Sequence, residues 1–489
     1  MTRRAKGRLR AAPIIKTALH ARGVRRHFFS VAQNNTKVFK AAWDNVQALC
    51  DHLDAGIKVS RCTYDLWTHG ERSAKVGKSK GSIRDDIWWD DALAKNLCDD
   101  LVEIAPGLVF VGQSNILPTA ERPLRGFETL TGRRSSILPH TKIELECVAS
   151  GKFEGTKFNY TTGAVTQRNY IQKKVGQKAE RLHCYGGLLV EVDSDGRWFV
   201  RQVQADERGV VCDLDVRVEA GRVTTGNPVE GITWGDAHGV MVDPTVKEIS
   251  WGPGGMLDQL QPRHQFFHDV FDMRARNHHE RGNPHRMFER MVDGMDNVER
   301  ELGGTADILT EADRDWCRMV VVKSNHDDAL ERWLRDADYR SDPINAEFFL
   351  EAQREVYRAI RERRQKEFLT IEWALRRAGC PSPAQFLHED ESFILCPAED
   401  GGIECGLHGH RGVNGSFGTV TGMARMGRRG NFADKHVAAI RDGAYFAGTS
   451  SLLDCGYNMG PSSWSHSHIV TYPTGSRSIV TCWKGKWRA

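Results

Sequence analysis

The sequence predicts an α/β protein written in two styles. After about residue 226, apolar runs of strand length alternate with amphipathic helical stretches. Between about 140 and 220, alternating apolar segments follow one another, with turn signals such as Ser194-Asp195-Gly196 between them. A Gly/Asn/Pro-rich stretch at 224–231 separates the two styles. The chain has 489 residues, 40% hydrophobic and 27% charged, which fits a globular chain of several domains. The expected organisation is a basic, flexible arm at 1–25, a mixed α/β and β-rich domain at 26–225 and a second α/β domain at 226–489.

Taken in order, the arm comes first. No acid precedes Asp44, whereas Arg3, Arg4, Lys6, Arg8, Arg10, Lys16, Arg22, Arg25 and Arg26 do. Such an arm suits a polyanion or is simply a solvated terminus. Residues 27–32 read as a strand, 36–53 as an amphipathic helix and 55–59 as a strand, a β-α-β start. Residues 70–90 read as a polar loop, in which Trp88 and Trp89 serve as buried anchors. Strands are expected at 108–111, 141–148, 188–192, 198–204 and 210–218. In the second half they are expected at 232–234, 265–267, 319–322, 404–407 and 468–472. Helices are expected at 286–302 and, as one long Arg-rich element, at 346–379. Its basic face is either solvated or follows a nucleic-acid strand.

Composition excludes several classes. No stretch approaches the ~18 apolar residues of a membrane span, and no apolar segment of a secretory signal follows the basic N-terminus. The twelve cysteines include no C-x-x-C pair, so a thiolate zinc site is not expected, and free thiols in a reducing cytoplasm are. G-x-G-x-x-G does not occur, the G-x-S-x-G string at 77–81 lies in the polar 70–90 loop and not at a strand–helix elbow, and the Gly-rich turn at 252–255 lacks the Lys-Ser/Thr of a P-loop.

The chemistry lies where strands end, the usual place for functional side chains in α/β folds. Asp236 and His238 follow one predicted strand, Asp269 a second, Asn325 and His326 a third, and His408 a fourth. Carboxylate, amide and imidazole without thiolate suit a divalent ion such as Mn, Fe, Zn or Ni. A bridging carboxylate can hold two such ions, and the pair can activate water and clamp a phosphate. His326 is suited to donate a proton to a leaving oxygen.

In this order the motifs Asp236-Ala237-His238, His268-Asp269-Val270-Phe271-Asp272, Ser324-Asn325-His326-Asp327 and His408 resemble those of the calcineurin-like metallophosphoesterases. The resemblance covers about 230–450. It implies a two-sheet sandwich flanked by helices, with two divalent metal ions at one edge, manganese foremost and Fe, Zn, Ni or Mg as others. It implies that Asp236 and His238 bind the first metal, Asp269 bridges, Asn325 and His408 bind the second, and His326 is an outer-sphere acid. Asp272 reads as a residue behind the ligands. The chain departs from the family with His268 and Ser324 in place of glycines.

In the last motif, Asp434 and His436 take the place of two histidines. His466 and His468 compete for that role, since they have the literal H-x-H spacing on a predicted strand. His278, His279, His285, Arg274, Arg276 and Arg281 either touch phosphate or form a solvated loop, and His410 with Arg411 lies close to His408 in sequence.

A wider resemblance, carried by 32–36, 140–142, 274–284 and 457–468, is to the pre-early DNA-transfer and host-DNA-degradation proteins of large tailed phages. It implies a metal-dependent DNase acting in the host cytoplasm, with DNA as partner and a possible homo-oligomer. The alternatives are a nucleotide phosphomonoesterase and a DNA-binding or transfer protein with a vestigial metal site.

Overall fold

Period-two alternation decides how the second half packs. The computed structural model describes residues 15–16, 23–64, 87–398 and 401–489. Most of the basic arm and most of the 70–90 loop lie outside the described residues. A six-stranded sheet runs in the order Gln385–Phe386, Arg318–Val321, His264–Phe267, Gly231–Thr233, Ser467–Thr471, Arg477–Thr481. The first four strands are parallel and the last two antiparallel. Phe267, Val321, Val470 and Val480 point to one face, into a core shared with helices Pro244–Trp251, Val298–Glu311 and Asp328–Asp336. Their neighbours Phe266, Val320, Ile469 and Ile479 point to the other, against Leu395, Ile403, Ile440 and Tyr445 of a second sheet. A one-residue slip in register would exchange the two sets, exposing each strand's core residues at roughly 1.5–3 kcal/mol per side chain. The result is two facing sheets with helices on the outer side of one of them, a mixed α/β arrangement without a closed barrel.

The second sheet has eleven strands and crosses between the two halves of the chain. Leu395, Ile403, Asn431, Tyr445 and Ile440 lie on strands from the C-terminal half. The sheet continues through the pairing of Ile440 with Leu145 into Lys157–Thr161, Ser135–Leu138, Leu108–Val111 and Leu101–Ala105. A four-stranded sheet (Trp198–Gln204, Gly186–Val192, Arg25–Gln33, Ala55–Cys62) carries helix Lys40–His52 and a small three-stranded sheet. It is tied to the six-stranded sheet where Ile479 N–H donates to Gln202 Oε1 at 2.7 Å. Among the described residues no helix is long and apolar enough to cross a membrane.

Several expected elements differ, each for a local reason. The 210–218 strand is a hairpin of Val211–Asp213 and Val216–Glu219, turned at Leu214 with φ 54°. The 286–302 helix is two, Pro284–Val292 and Val298–Glu311, separated by Gly294 at φ 67° and restarted by the Asn297 cap. The long Arg-rich helix also breaks, into Ala346–Arg361 and Thr370–Arg377, with Arg363 in the left-handed region. Continuous 3.6-residue periodicity hid both breaks. Trp88 is 42% exposed rather than an anchor, whereas Trp89 donates to the Ala32 carbonyl.

A buried ion network stabilises the N-terminal half. Arg201 is bidentate on Asp213 at 2.7 and 2.8 Å and reaches Glu191 at 2.7 Å, with Arg26 on the other Glu191 oxygen. Burial alone would raise the Glu191 carboxyl, but the two guanidinium groups hold it at about 2. Its contribution is therefore complete above its unfolded value of 4.5 and lost as the pH falls toward 2. Arg201→Ala leaves Glu191 and Asp213 buried and underpaired. Chemical denaturation should show a loss of about 3–5 kcal/mol, and an unchanged midpoint would refute the network's role.

Candidate metal centre

Glycine allows the first ligand loop to reach its place. A Cβ on Gly235 would meet the Thr449 backbone at 2.7 Å, so only glycine lets these two segments lie this close. The Thr449 hydroxyl and the Ser450 N–H donate to the Asp236 carbonyl at 2.9 and 2.8 Å, and the Ser450 hydroxyl donates to Gly235 O. Asp236 is thus clamped directly after the Gly231–Thr233 strand.

Four of the predicted ligands have left-handed backbone: His238 at φ 55°, Asp269 at 47°, Asp434 at 73° and His436 at 55°. Non-glycine residues adopt this conformation at a cost and concentrate there at functional sites. Each of these turns redirects the chain and aims a side chain inward.

The side chains of Asp236, His238, Asp269 and His436 converge. One ligand atom from each lies within 4.8 Å of all the others, and all four residues are buried. His436 Nε2 is 3.3 Å from Asp236 Oδ2 and 2.8 Å from His238 Nε2. His408 joins from the other side, with its Nε2 3.3 Å from Asp269 Oδ2 and 3.7 Å from Asp434 Oδ1. Asp269 therefore lies between the His238/His436 pair and His408. Asp434 also pairs with Lys435.

Asn325 follows the Arg318–Val321 strand, its carbonyl held by Arg332 at 2.9 Å and its buried Oδ1 without a hydrogen bond. His326 is hydrogen-bonded through Nδ1 to Asp272 Oδ1 at 2.6 Å and is 4.7 Å, ring to ring, from His238.

His466 and His468 are not part of this cluster. His466 donates to the Ser451 carbonyl at 2.9 Å. His468 accepts from the Gly235 N–H at 3.0 Å and faces Ser250 on its other side, so both ring nitrogens are spent on structure. His278 meets Arg332 at 3.1 Å, and Arg276 is committed to Asp342, bidentate at 2.6 Å.

Two residues behind the ligands are structurally telling. Asp272 accepts from His238 Nδ1 at 3.3 Å as well as from His326, which directs His238 Nε2 inward. His268 is fully buried, with its Nδ1 3.2 Å from His408 Nδ1 and the two rings stacked. Burial keeps His268 neutral, its pKa well below the usual histidine range. It can therefore accept from His408 Nδ1–H, while His408 Nε2 faces Asp269, whose charge raises the His408 pKa to about 9 against the effect of burial. The departure from glycine at 268 was visible in sequence, but its partner was not.

The electrostatics suit a cation at the cluster. Burial and the neighbouring Asp269 push the Asp236 carboxyl up to about 7. Both Asp236 oxygens, Asp269 Oδ1 and Asn325 Oδ1 are buried without a hydrogen bond. Orphaned oxygens of this kind cost roughly 1–3 kcal/mol each, more for charged groups. Oxygen and imidazole donors aimed at one space are what a divalent ion requires, so the residues present fit such an ion.

Fold and centre together define an α/β protein of two facing sheets, with a buried carboxylate–histidine cluster able to hold a metal ion at the ends of parallel strands. The chain is 38% identical over 477 residues to protein A1 of Escherichia phage T5, an alignment covering 95% of this chain and 83% of that protein. It belongs to the family of that bacteriophage protein. No protein-family profile and no solved structure matches it.

Proposed function

We propose that the protein is a metal-dependent phosphodiesterase of the calcineurin-like type that cleaves DNA, with two divalent cations, manganese foremost, as cofactor. The observation that carries this reading is the convergence of Asp236, His238, Asp269, His408 and His436 around oxygens that no protein group satisfies. Asp236, His238 and His436 would hold one ion, Asn325, His408 and Asp434 the other, with Asp269 between them. When bound, the ions would supply Lewis-acid polarisation of a phosphate ester and a water activated for in-line attack.

This chain's own residues would do the rest. His326 is partly exposed, 27% at the side chain, so it can reach a ligand. Burial acts to lower its pKa, but the Asp269 and Asp272 carboxylates outweigh this and hold it at about 10. Asp272 fixes the ring through Nδ1, and a protonated His326 can deliver its proton to the leaving oxygen.

A cleft of about 1050 Å³ opens beside Asn325 and His410, lined by Arg332, Arg335, Lys366 and Arg411. Lys323 bonds Asp328 at 2.7 Å and lies 3.5 Å from Glu331, and Arg411 lies 3.4 Å from Glu389, the third acid of the cleft. The excess of cations over acids on this lining is compatible with a phosphodiester ligand. The phage family is consistent with a nucleic-acid substrate.

The test is to strip the protein with chelator and add back Mn, Mg, Zn and Ni singly, assaying plasmid DNA, single-stranded DNA and nucleoside monophosphates. Restored DNA cleavage is expected with at least one metal. Hydrolysis of monophosphates alone would replace this reading by a phosphomonoesterase. No turnover with any metal would reduce the cluster to a structural or vestigial site.

A further inference from the structure

A second charged cavity lies away from the metal centre, where strands of the two halves of the chain meet. It measures about 410 Å³, within the range of small-molecule sites. Six cations line it: Lys142, Arg168, Arg181, Arg428, Arg429 and Arg477. Among the described residues two carboxylates do, Glu207 and Asp442. Glu207 is taken up by Arg168 at 2.6 Å, and Asp442 lies 3.6 Å from Lys142.

The decisive group is Arg477. It is 4% exposed, yet its guanidinium bonds only neutral acceptors: Gly430 O at 2.8 Å, Asn431 Oδ1 at 3.0 Å and Gly443 O at 2.8 Å. It also lies over the Tyr445 ring at 3.9 Å. Burial depresses its pKa to about 10, the mark of a cation without a counter-charge. A buried guanidinium is ordinarily balanced by a carboxylate, as Arg201 is here. Among the described residues no carboxylate balances Arg477.

The other titratable groups on the cavity do not supply a balancing charge. His183 is neutral between Tyr170 and Thr166 O. Tyr445 and Cys184 have pKa values raised by burial, so both stay protonated. Arg428 reaches Glu404 only at 3.4 Å and is itself exposed.

We propose that this cavity is a binding site for a small phosphate-bearing anion, separate from the metal centre. Guanidinium groups that converge in a partly closed space match the bidentate geometry of phosphate oxygens. The site is connected to the metal centre through one strand. Arg429–Phe432 starts at the cavity and runs ~13 Å, at about 3.3 Å per residue, to the turn that presents Asp434 and His436. An anion drawing on Arg428 and on Arg477, which bonds Gly430 O, would thus order the base of the strand whose far end carries two candidate ligands.

The inference does not depend on the proposed phosphodiesterase activity, and its test keeps the two apart. Calorimetric titration of the full chain in chelator would use inorganic phosphate, a deoxynucleoside monophosphate, the matching nucleoside and a short 5′-phosphorylated single strand. Saturable binding of at least one phosphate-bearing probe, and not of the nucleoside, is expected. The double variant Arg181→Glu/Arg428→Glu changes two exposed side chains and should fold. It should weaken binding by about tenfold or more, as expected for loss of charge-assisted contacts. Asp236→Asn should leave it unchanged.

If the mononucleotide or free phosphate binds best, the ligand is a free metabolite. If the oligonucleotide does, the cavity takes a strand end. Equal binding of the nucleoside, full affinity in the double variant, or no binding by any probe would overturn the proposal.

Discussion

Asp269→Asn is expected to abolish metal-dependent stabilisation of the protein while leaving the metal-free fold intact. Asp269 is fully buried, beside a second buried carboxylate whose pKa it helps to raise. Removing its charge relieves that repulsion but also takes a counter-charge from His408, His326 and His238, which hold the Asp269 carboxyl well below its usual range despite burial, so the chelated variant should stay folded and melt somewhat lower than the chelated parent. The parent should gain stability with added metal, about 2.7 kcal/mol at a hundredfold excess over Kd. The variant should gain almost none, because the lost carboxylate lies between His238 and His408, 3.8 and 3.3 Å from their Nε2 atoms. Thermal melts with and without metal, and metal analysis of the dialysed protein, decide this. A variant that retains the metal-induced shift would show that Asp269 is not central to the cluster.

His326→Ala should separate chemistry from binding. Under the proposed mechanism it lowers turnover by roughly 10²–10⁴, the usual contribution of a positioned general acid, with metal content unchanged. The geometry contains its own competing outcome. His238, Asp272 and His326 form a second set of side chains close enough to share an ion. If metal content falls along with turnover, His326 is a ligand and the proton must come from elsewhere. If neither changes, His326 has no part in the reaction. Asp272→Asn offers an intermediate case. It keeps an oxygen acceptor but removes the negative charge behind both histidines, and metal affinity should fall about 10–100-fold.

Much of the centre was legible because its residues occupy a repeated local context. A short apolar run followed by Asp, Asn or His marks a strand end, and four such ends occur in order at 236, 269, 325 and 408. Choosing between Asp434/His436 and His466/His468 was beyond that method. Both pairs have acceptable spacing, and the second even lies on the expected strand. What separates them is a long-range fact: the Gly235 N–H reaches His468 Nδ1 across 233 residues. The pairing of His268 with His408, 140 positions apart, was invisible for the same reason.

Element boundaries failed where one residue changed the backbone while the hydrophobic period continued. Leu214, Gly294 and Arg363 all have positive φ, and each ended an element that periodicity alone would have extended. The eleven-stranded sheet was missed for a different reason. Each of its strands is short, and among the described residues the strand pairing that joins the halves within this sheet is the single pair of Leu145 with Ile440.

Local physics in the sequence thus determined which segments are strands, which faces are apolar, and which oxygen and nitrogen donors end up at strand tips, because these depend on neighbours within a few residues. Only the tertiary structure decided which donors share one space, which histidines are used up by backbone groups, and where a buried arginine lacks a counter-charge. Those outcomes depend on distances between residues hundreds of positions apart, which closing the sheets brings together and which no local pattern encodes.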